Sequence, residues 1–140
     1  MSSTERDSRS SRKEVIFLDR CVAPSLGRAL EKFGHRVIHM QDYYGKTRAQ
    51  SVQDVEWIRE AAERGWVVVT ANPRIARVEH EIGLICELGV NVFCLGNPNQ
   101  NRELRALIVG RHYLTIRRRW RRSGPSFWRL YPHETRKDIA

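Results

Sequence analysis

The sequence predicts an α/β fold, a single three-layer domain with helices on both faces of a mainly parallel central sheet. Three observations carry that expectation. Short apolar runs alternate with amphipathic segments of helical length, the pattern of strand-helix-strand crossovers. Within those runs consecutive positions are apolar, as in strands buried on both faces. The chain has 140 residues, enough for one ordinary core and no second domain.

Each element has its own grounds. Residues 1–12, MSSTERDSRSSR, are polar and charged without apolar periodicity and are expected to be a disordered tail. The domain is expected over residues 13–133, followed by a polar C-terminal tail over 134–140. In EVIFLD, Val15 to Leu18 form the first strand. In APSLGRALEKFG, Leu26, Leu30 and Phe33 recur at helical spacing and Gly34 supplies the stop. HRVIHM reads as the second strand. After a polar loop, SVQDVEWIREAAERG repeats the helical pattern through Val55, Ile58 and Ala62, closed by Gly65. WVVVT is the third strand, RIARVEHEIGLICELG a third helix ending on Gly89, and VNVFCLG the fourth strand. NRELRALIVGRHYLTIRRRW is expected to be helical with a weak point at Gly110, and SFWRLYP to be a last, edge-type strand.

Composition narrows the function classes. No apolar run approaches the roughly 18 residues a membrane span requires, and the N-terminus lacks the apolar core of a secretory signal, so a cytoplasmic location is expected. Cys21, Cys86 and Cys94 are odd in number, widely spaced and set among apolar residues. That pattern reads as core thiols rather than a disulfide framework or zinc knuckle. The net charge of +9 is the strongest compositional signal. Much of it falls at Arg111, Arg117, Arg118, Arg119, Arg121 and Arg122, interleaved with Tyr113 and Trp120. Such a stretch suits a polyanion or an acidic partner, although a solvated basic helix accounts for the charge run almost as well.

In an open parallel sheet, ligands bind beyond the carboxyl ends of the strands, where the strand order reverses. Those ends carry Asp19, Asp42, Thr70 with Asn72, and Asn97 with Asn99. Asp54 opens the second helix near the same rim. If strands one and three are neighbours, Asp19, Asp54 and Asn72 converge on an oxygen-rich cluster suited to magnesium or manganese. Each acid also has a plain structural reading. Asp54 suits a helix N-terminus and Asp42 a turn, whereas Asp19, directly after VIFL, faces a costly desolvation unless it reaches the rim or a partner. His35 and His39 lie four apart on the second strand and read as core or rim histidines. The GKT at Gly45 to Thr47 lacks the earlier glycine of a phosphate-binding loop, Met40 standing in its place, with no helix expected at Thr47.

FLDRCVAPSLGRALEKFGHRVIHM followed by SVQDVEWIREAAERGWVVVTANPRI resembles the PIN-like ribonuclease domain, in the branch that includes VapC-type toxins. The shared pattern is a strand ending in Leu-Asp, an aliphatic helix ending near Gly-His, an Asp opening the next helix, and a WVVVT strand followed by an acid and basic residues. It spans roughly residues 14–96, and only the ensemble of short motifs is specific. The resemblance implies an endoribonuclease that uses magnesium, with manganese as substitute, acting as the toxin held inactive by a cognate antitoxin. It also implies dimers. Carried across by position, Asp19 matches the family's first acid and Asp54 its helix acid. Asn72 stands where many members have a third acid, so it would be a neutral ligand or metal-water contact, with Glu79 and Glu81 placed to compensate. Arg20, Arg74 and Arg77 would flank the cluster and clamp a phosphate, and Arg117, Arg118 and Arg119 would hold more of the RNA or dock an acidic antitoxin tail. A PIN-like RNA-binding or regulatory module without catalysis is the second reading, motivated by Asn72.

Overall fold

The computed structural model describes residues 15–95, 101–122 and 124–139. The expected tail over 1–12 and the strand-end residues Asn97 and Asn99 lie outside the described residues. Four parallel crossovers and a hairpin build one six-stranded sheet in the order β2-β1-β3-β4-β5-β6. Its strands are β1 (Val15–Leu18), β2 (Arg36–His39), β3 (Val67–Thr70), β4 (Asn91–Leu95), β5 (Ser126–Leu130) and β6 (Thr135–Ile139). All neighbouring pairs are parallel except β5 with β6. The expected α/β class and mainly parallel sheet are what the chain adopts.

Helices α1 (Pro24–Glu31), α6 (Arg102–Arg111) and α7 (Tyr113–Trp120) cover one face. There Leu26, Leu30, Ile108, Ile116 and Trp120 pack on Ile16, Leu18, Val69, Phe93 and Leu95. Gly27 lets α1 lie close, since a Cβ there would stand 3.0 Å from Leu18 Cδ1 and 3.1 Å from Val37 Cγ1. On the other face α4 (Asp54–Arg64) and α5 (Glu79–Leu88) bury Trp57, Ile58, Leu84 and Ile85 against Phe17, Val68, Val92 and Cys94. Phe17 stacks on Trp66 at 5.1 Å between ring centroids and tilts against Trp57 at 5.7 Å. Alternate strand residues therefore feed two cores, which is why the strands read as unbroken apolar runs.

Several elements differ from the sequence reading. The loop after β2 contains two short helices, α2 (Met40–Tyr44) and α3 (Lys46–Ala49). Asp42 thus sits in the first turn of α2, and a helix does open at the GKT segment. The RIARVEHEIGLICELG segment is not one helix. Asn72 caps a 3-10 turn over Pro73–Ala76, Val78 adopts an extended conformation, and α5 starts at Glu79. The later helical stretch breaks at His112 rather than Gly110, because the His112 backbone leaves the helical region while its Nε2 bonds the Tyr131 carbonyl at 2.6 Å. β5 is an interior strand, and the expected polar tail supplies the edge strand β6. Arg119 lies 3.4 Å over the Trp128 ring and Lys137 of β6 lies 5.5 Å from it, so cation-π contacts on β5 hold this polar strand. His35 precedes β2 rather than lying on it, and both it and His39 are buried. Of the cysteines only Cys94 is a core thiol; Cys21 and Cys86 are exposed.

Candidate active site

The chain leaves β1, forms β2 on one side of it, then crosses to form β3 on the other. The carboxyl ends of β1 and β3 thus flank the point where the strand order reverses, the place where open α/β sheets leave a crevice. Asp19 follows β1 directly and is only 3% exposed. Its backbone N–H donates to the Val69 carbonyl of β3 at 3.4 Å. One carboxylate oxygen accepts from the Cys21 N–H at 3.0 Å and the other from the Thr70 hydroxyl at the end of β3. Thr70 Oγ1 in turn accepts from the Asn72 N–H at 3.0 Å, so the first acid is fixed by the third strand rather than left in apolar surroundings.

Burial pushes the Asp19 carboxyl up to about 6. The nearby charge of Asp54 adds to this, while the hydrogen bonds from Thr70 and Cys21 and the charge of Arg20 offset part of it. Asp54 is the first residue of α4, half-buried, and accepts from the Trp57 indole N–H at 2.9 Å. The helix-terminus reading of Asp54 therefore holds, and the same carboxylate lies near enough to Asp19 for its charge to raise the Asp19 carboxyl. Glu81, in the first turn of α5, is buried against Asp54. Burial, followed by the hydrogen bond and charge of Asp54, lifts its carboxyl to about 7, against a smaller opposing pull from Arg74. Glu79 of the same turn is exposed.

The third predicted position has a local structural duty. The Asn72 side-chain oxygen accepts from the Arg74 N–H at 3.2 Å and caps the 3-10 turn. Asn72 thus starts a turn, and Glu81, which the sequence offered with Glu79 as a compensating acid, is the carboxylate that hydrogen-bonds Asp54. Its sign was an acid in the first turn of the following helix. Among the described residues no three His, Cys, Asp or Glu side chains stand together at metal-ligand spacing. A magnesium-class cation, however, needs only one or two carboxylates alongside water and phosphate. Asp19 and Asp54 are hard oxygen donors, and the charge of Asp54 raises the Asp19 carboxyl more than that of Arg20 lowers it, so the donor chemistry fits such an ion.

The basic residues separate into groups. Arg74 and Arg77 are exposed beside the rim. Arg20 is exposed, and its NH1 donates to the carbonyls of Ala49 at 3.2 Å and Val52 at 3.1 Å. Arg105 of α6, for which the sequence held no signal, donates to the Cys21 carbonyl at 3.1 Å. Arg119 is engaged with the Trp128 ring and with Thr135 Oγ1 at 2.8 Å. Arg117 is half-buried and Arg118 exposed. Asn91, the first residue of β4, donates to the carbonyls of Trp120 at 3.4 Å and Arg122 at 3.0 Å. The C-terminal end of α7 therefore lies at the strand ends opposite Asp19, three β4 residues or about 10 Å away along the strand direction.

With this geometry, comparison with known proteins has a clear outcome. A family model described as "PIN like domain" matches residues 15–97. The chain belongs to the PIN-like domain family. It is also 31% identical over 118 residues to a curated Mycobacterium tuberculosis protein named "Putative ribonuclease VapC45", a match covering 84% of this chain and 86% of that protein. A match of that length necessarily takes in residues beyond 97, so the likeness extends past the family span into the C-terminal segment. No solved structure matches the chain. Among the described residues, no helix is long and apolar enough to cross a membrane.

Proposed function

We propose that this PIN-like chain is a magnesium- or manganese-dependent endoribonuclease and the toxin of a toxin-antitoxin pair. The observation that carries the reading is the buried Asp19 carboxylate, fixed by Thr70 at the strand-order reversal and near Asp54. A folded chain tolerates two such like-charged acids at one rim most readily when a cation joins them. Family membership and the ribonuclease named among its relatives support the same reading.

Asp19 and Asp54 would hold the cation, which when bound supplies Lewis-acid polarisation of a phosphodiester and neutralises developing charge. Glu81, whose carboxyl ionises near neutrality, is suited to take a proton from an attacking water. Arg74 and Arg77 line the exposed side of the rim, where they would pair with the RNA backbone. Arg117 and Arg118 lie farther from the chemistry and serve RNA or an acidic antitoxin segment rather than the scissile phosphate. The cytoplasm is the fitting compartment, and the partners are RNA, the antitoxin and a second copy of the chain.

The deciding experiment compares the wild type with Asp19→Asn on labelled RNA, with manganese and with chelator. Cleavage by the wild type in manganese alone, absent in a folded Asp19→Asn variant, is the expected result. RNA binding without cleavage by the wild type on all substrates would instead make the chain a non-catalytic RNA-binding module.

A further inference from the structure

Arg20 is adjacent to Asp19 in the chain, and its NH1 is shared between the carbonyls of Ala49 and Val52. Ala49 ends α3, where the last carbonyls of a helix lack partners within it, and Val52 lies two residues before Asp54. In the backbone network around this turn, Gln50 N–H bonds the Thr47 carbonyl and Ser51 and Val52 N–H bond that of Arg48. Among the described residues no backbone N–H of this network donates to the Ala49 or Val52 carbonyl, and both accept from Arg20. On the other side, Arg105 holds the Cys21 carbonyl at 3.1 Å. The turn carrying Asp19 is therefore fastened to α6 by one arginine and to the segment delivering Asp54 by another.

We infer that Arg20 is a positioning residue, a cross-brace that sets where Asp54 stands relative to Asp19. This rests on the reading of those two acids as the cation-holding pair. Direct pairing of Arg20 with a phosphate would compete with this brace, since turning NH1 outward leaves two carbonyls without their donor. A small cation with ligands near 2.1 Å is sensitive to displacements of a few tenths of an ångström in its carboxylates. Loss of the brace should therefore be felt in cation affinity before RNA affinity.

The test uses the full chain as wild type, Arg20→Ala and Arg20→Lys, well below the melting temperature of each. Manganese binding is measured on protein alone by paramagnetic resonance. Binding of a fluorescent single-stranded RNA is measured in chelator at several salt concentrations. Arg20→Ala should weaken manganese binding about tenfold or more, and Arg20→Lys, whose ammonium can serve one carbonyl, about threefold. RNA affinity in chelator should stay within about twofold of wild type, with an unchanged salt slope. If RNA affinity falls severalfold and the slope drops by about 0.7, the value for one lost phosphate contact, while manganese binding is unchanged, Arg20 is a phosphate clamp and the inference fails. Unchanged manganese binding in both variants also overturns it. If Arg20→Ala does not fold, Arg20→Lys alone decides between these outcomes. A wild type that binds no manganese refutes the cation-site reading itself, and with it the inference; failure confined to the variants refutes only the brace.

Discussion

Replacing Asp19 by Asn should stabilise the protein while abolishing its chemistry, and the size of the effect follows from the site. The Asp19 carboxyl rises from 3.8 to about 6 on folding. That displacement corresponds to about 3 kcal/mol by which the ionised carboxylate disfavours the folded chain above pH 7. Because the folded value is the higher one, the stability contribution is fully present below pH 3.8 and is lost as pH rises through 6. Asn carries no such penalty, but its single side-chain oxygen can serve only one of the two donors, the Cys21 N–H and the Thr70 hydroxyl, that the carboxylate holds, which costs about 1 kcal/mol. In chelator at pH 7.5, Asp19→Asn should therefore be about 2 kcal/mol more stable, or about 4 to 8 °C in Tm for a chain of this size. Near pH 4 the advantage should vanish or reverse. Thermal unfolding of both proteins at the two pH values, with EDTA and then with manganese, measures this directly. Manganese should raise the Tm of the wild type and leave that of the variant unmoved. A variant less stable than wild type at pH 7.5 in EDTA would show that the carboxylate is a net structural asset rather than a buried charge the fold holds at a cost.

Three further outcomes are expected. Glu81→Gln should lower RNA cleavage about 10² to 10⁴-fold and remove the rise in rate through about pH 7 that ionisation of Glu81 gives the wild type; a wild-type pH-rate profile in the variant would exclude Glu81 from proton transfer. Arg119→Ala removes the contacts to Trp128 and Thr135 and should cost about 1 to 2 kcal/mol in urea unfolding, with cleavage of RNA by the folded fraction unchanged. Gly124→Ala would place a Cβ 2.3 Å from the Gly89 carbonyl oxygen, and the forced backbone shift should destabilise the chain by about 2 kcal/mol or more; an unchanged Tm would show that this contact gives way easily.

The elements legible in the sequence are those whose residues face the core on both sides. VIFL, VVVT and NVFCL announce themselves as buried strands, and the acids at their carboxyl ends are visible because a charge after such a run demands a partner. Elements stabilised by something other than their own apolar pattern were hidden. α2 and α3 are too short for helical periodicity. β6 is polar and depends on pairing with β5 and on cations lying over Trp128. The duty of Arg20 rests on carbonyls 29 and 32 residues away, and no local pattern encodes it. Asn72 stands where many family members have an acid, and the turn that its oxygen caps is a second duty that its position in the sequence does not reveal. The basic stretch looked like one surface, but Arg119 is half-buried against Trp128 and Thr135 and Arg122 lies at the far end of the strands.

The β5–β6 hairpin also has a bearing on where this protein can be cut. The family span stops at residue 97, two residues beyond β4, yet β4 pairs along its whole length with β5. A chain ended there would leave the apolar strand NVFCL as a bare edge. It would also uncover Phe93 and Leu95, which Ile108, Val109, Ile116 and Trp120 now help to enclose. An open, flat, hydrophobic edge is a template for strand addition between molecules. Fragments designed on the family boundary would therefore aggregate, and any transplant of the half that carries Asp19 and Asp54 has to carry the hairpin with it.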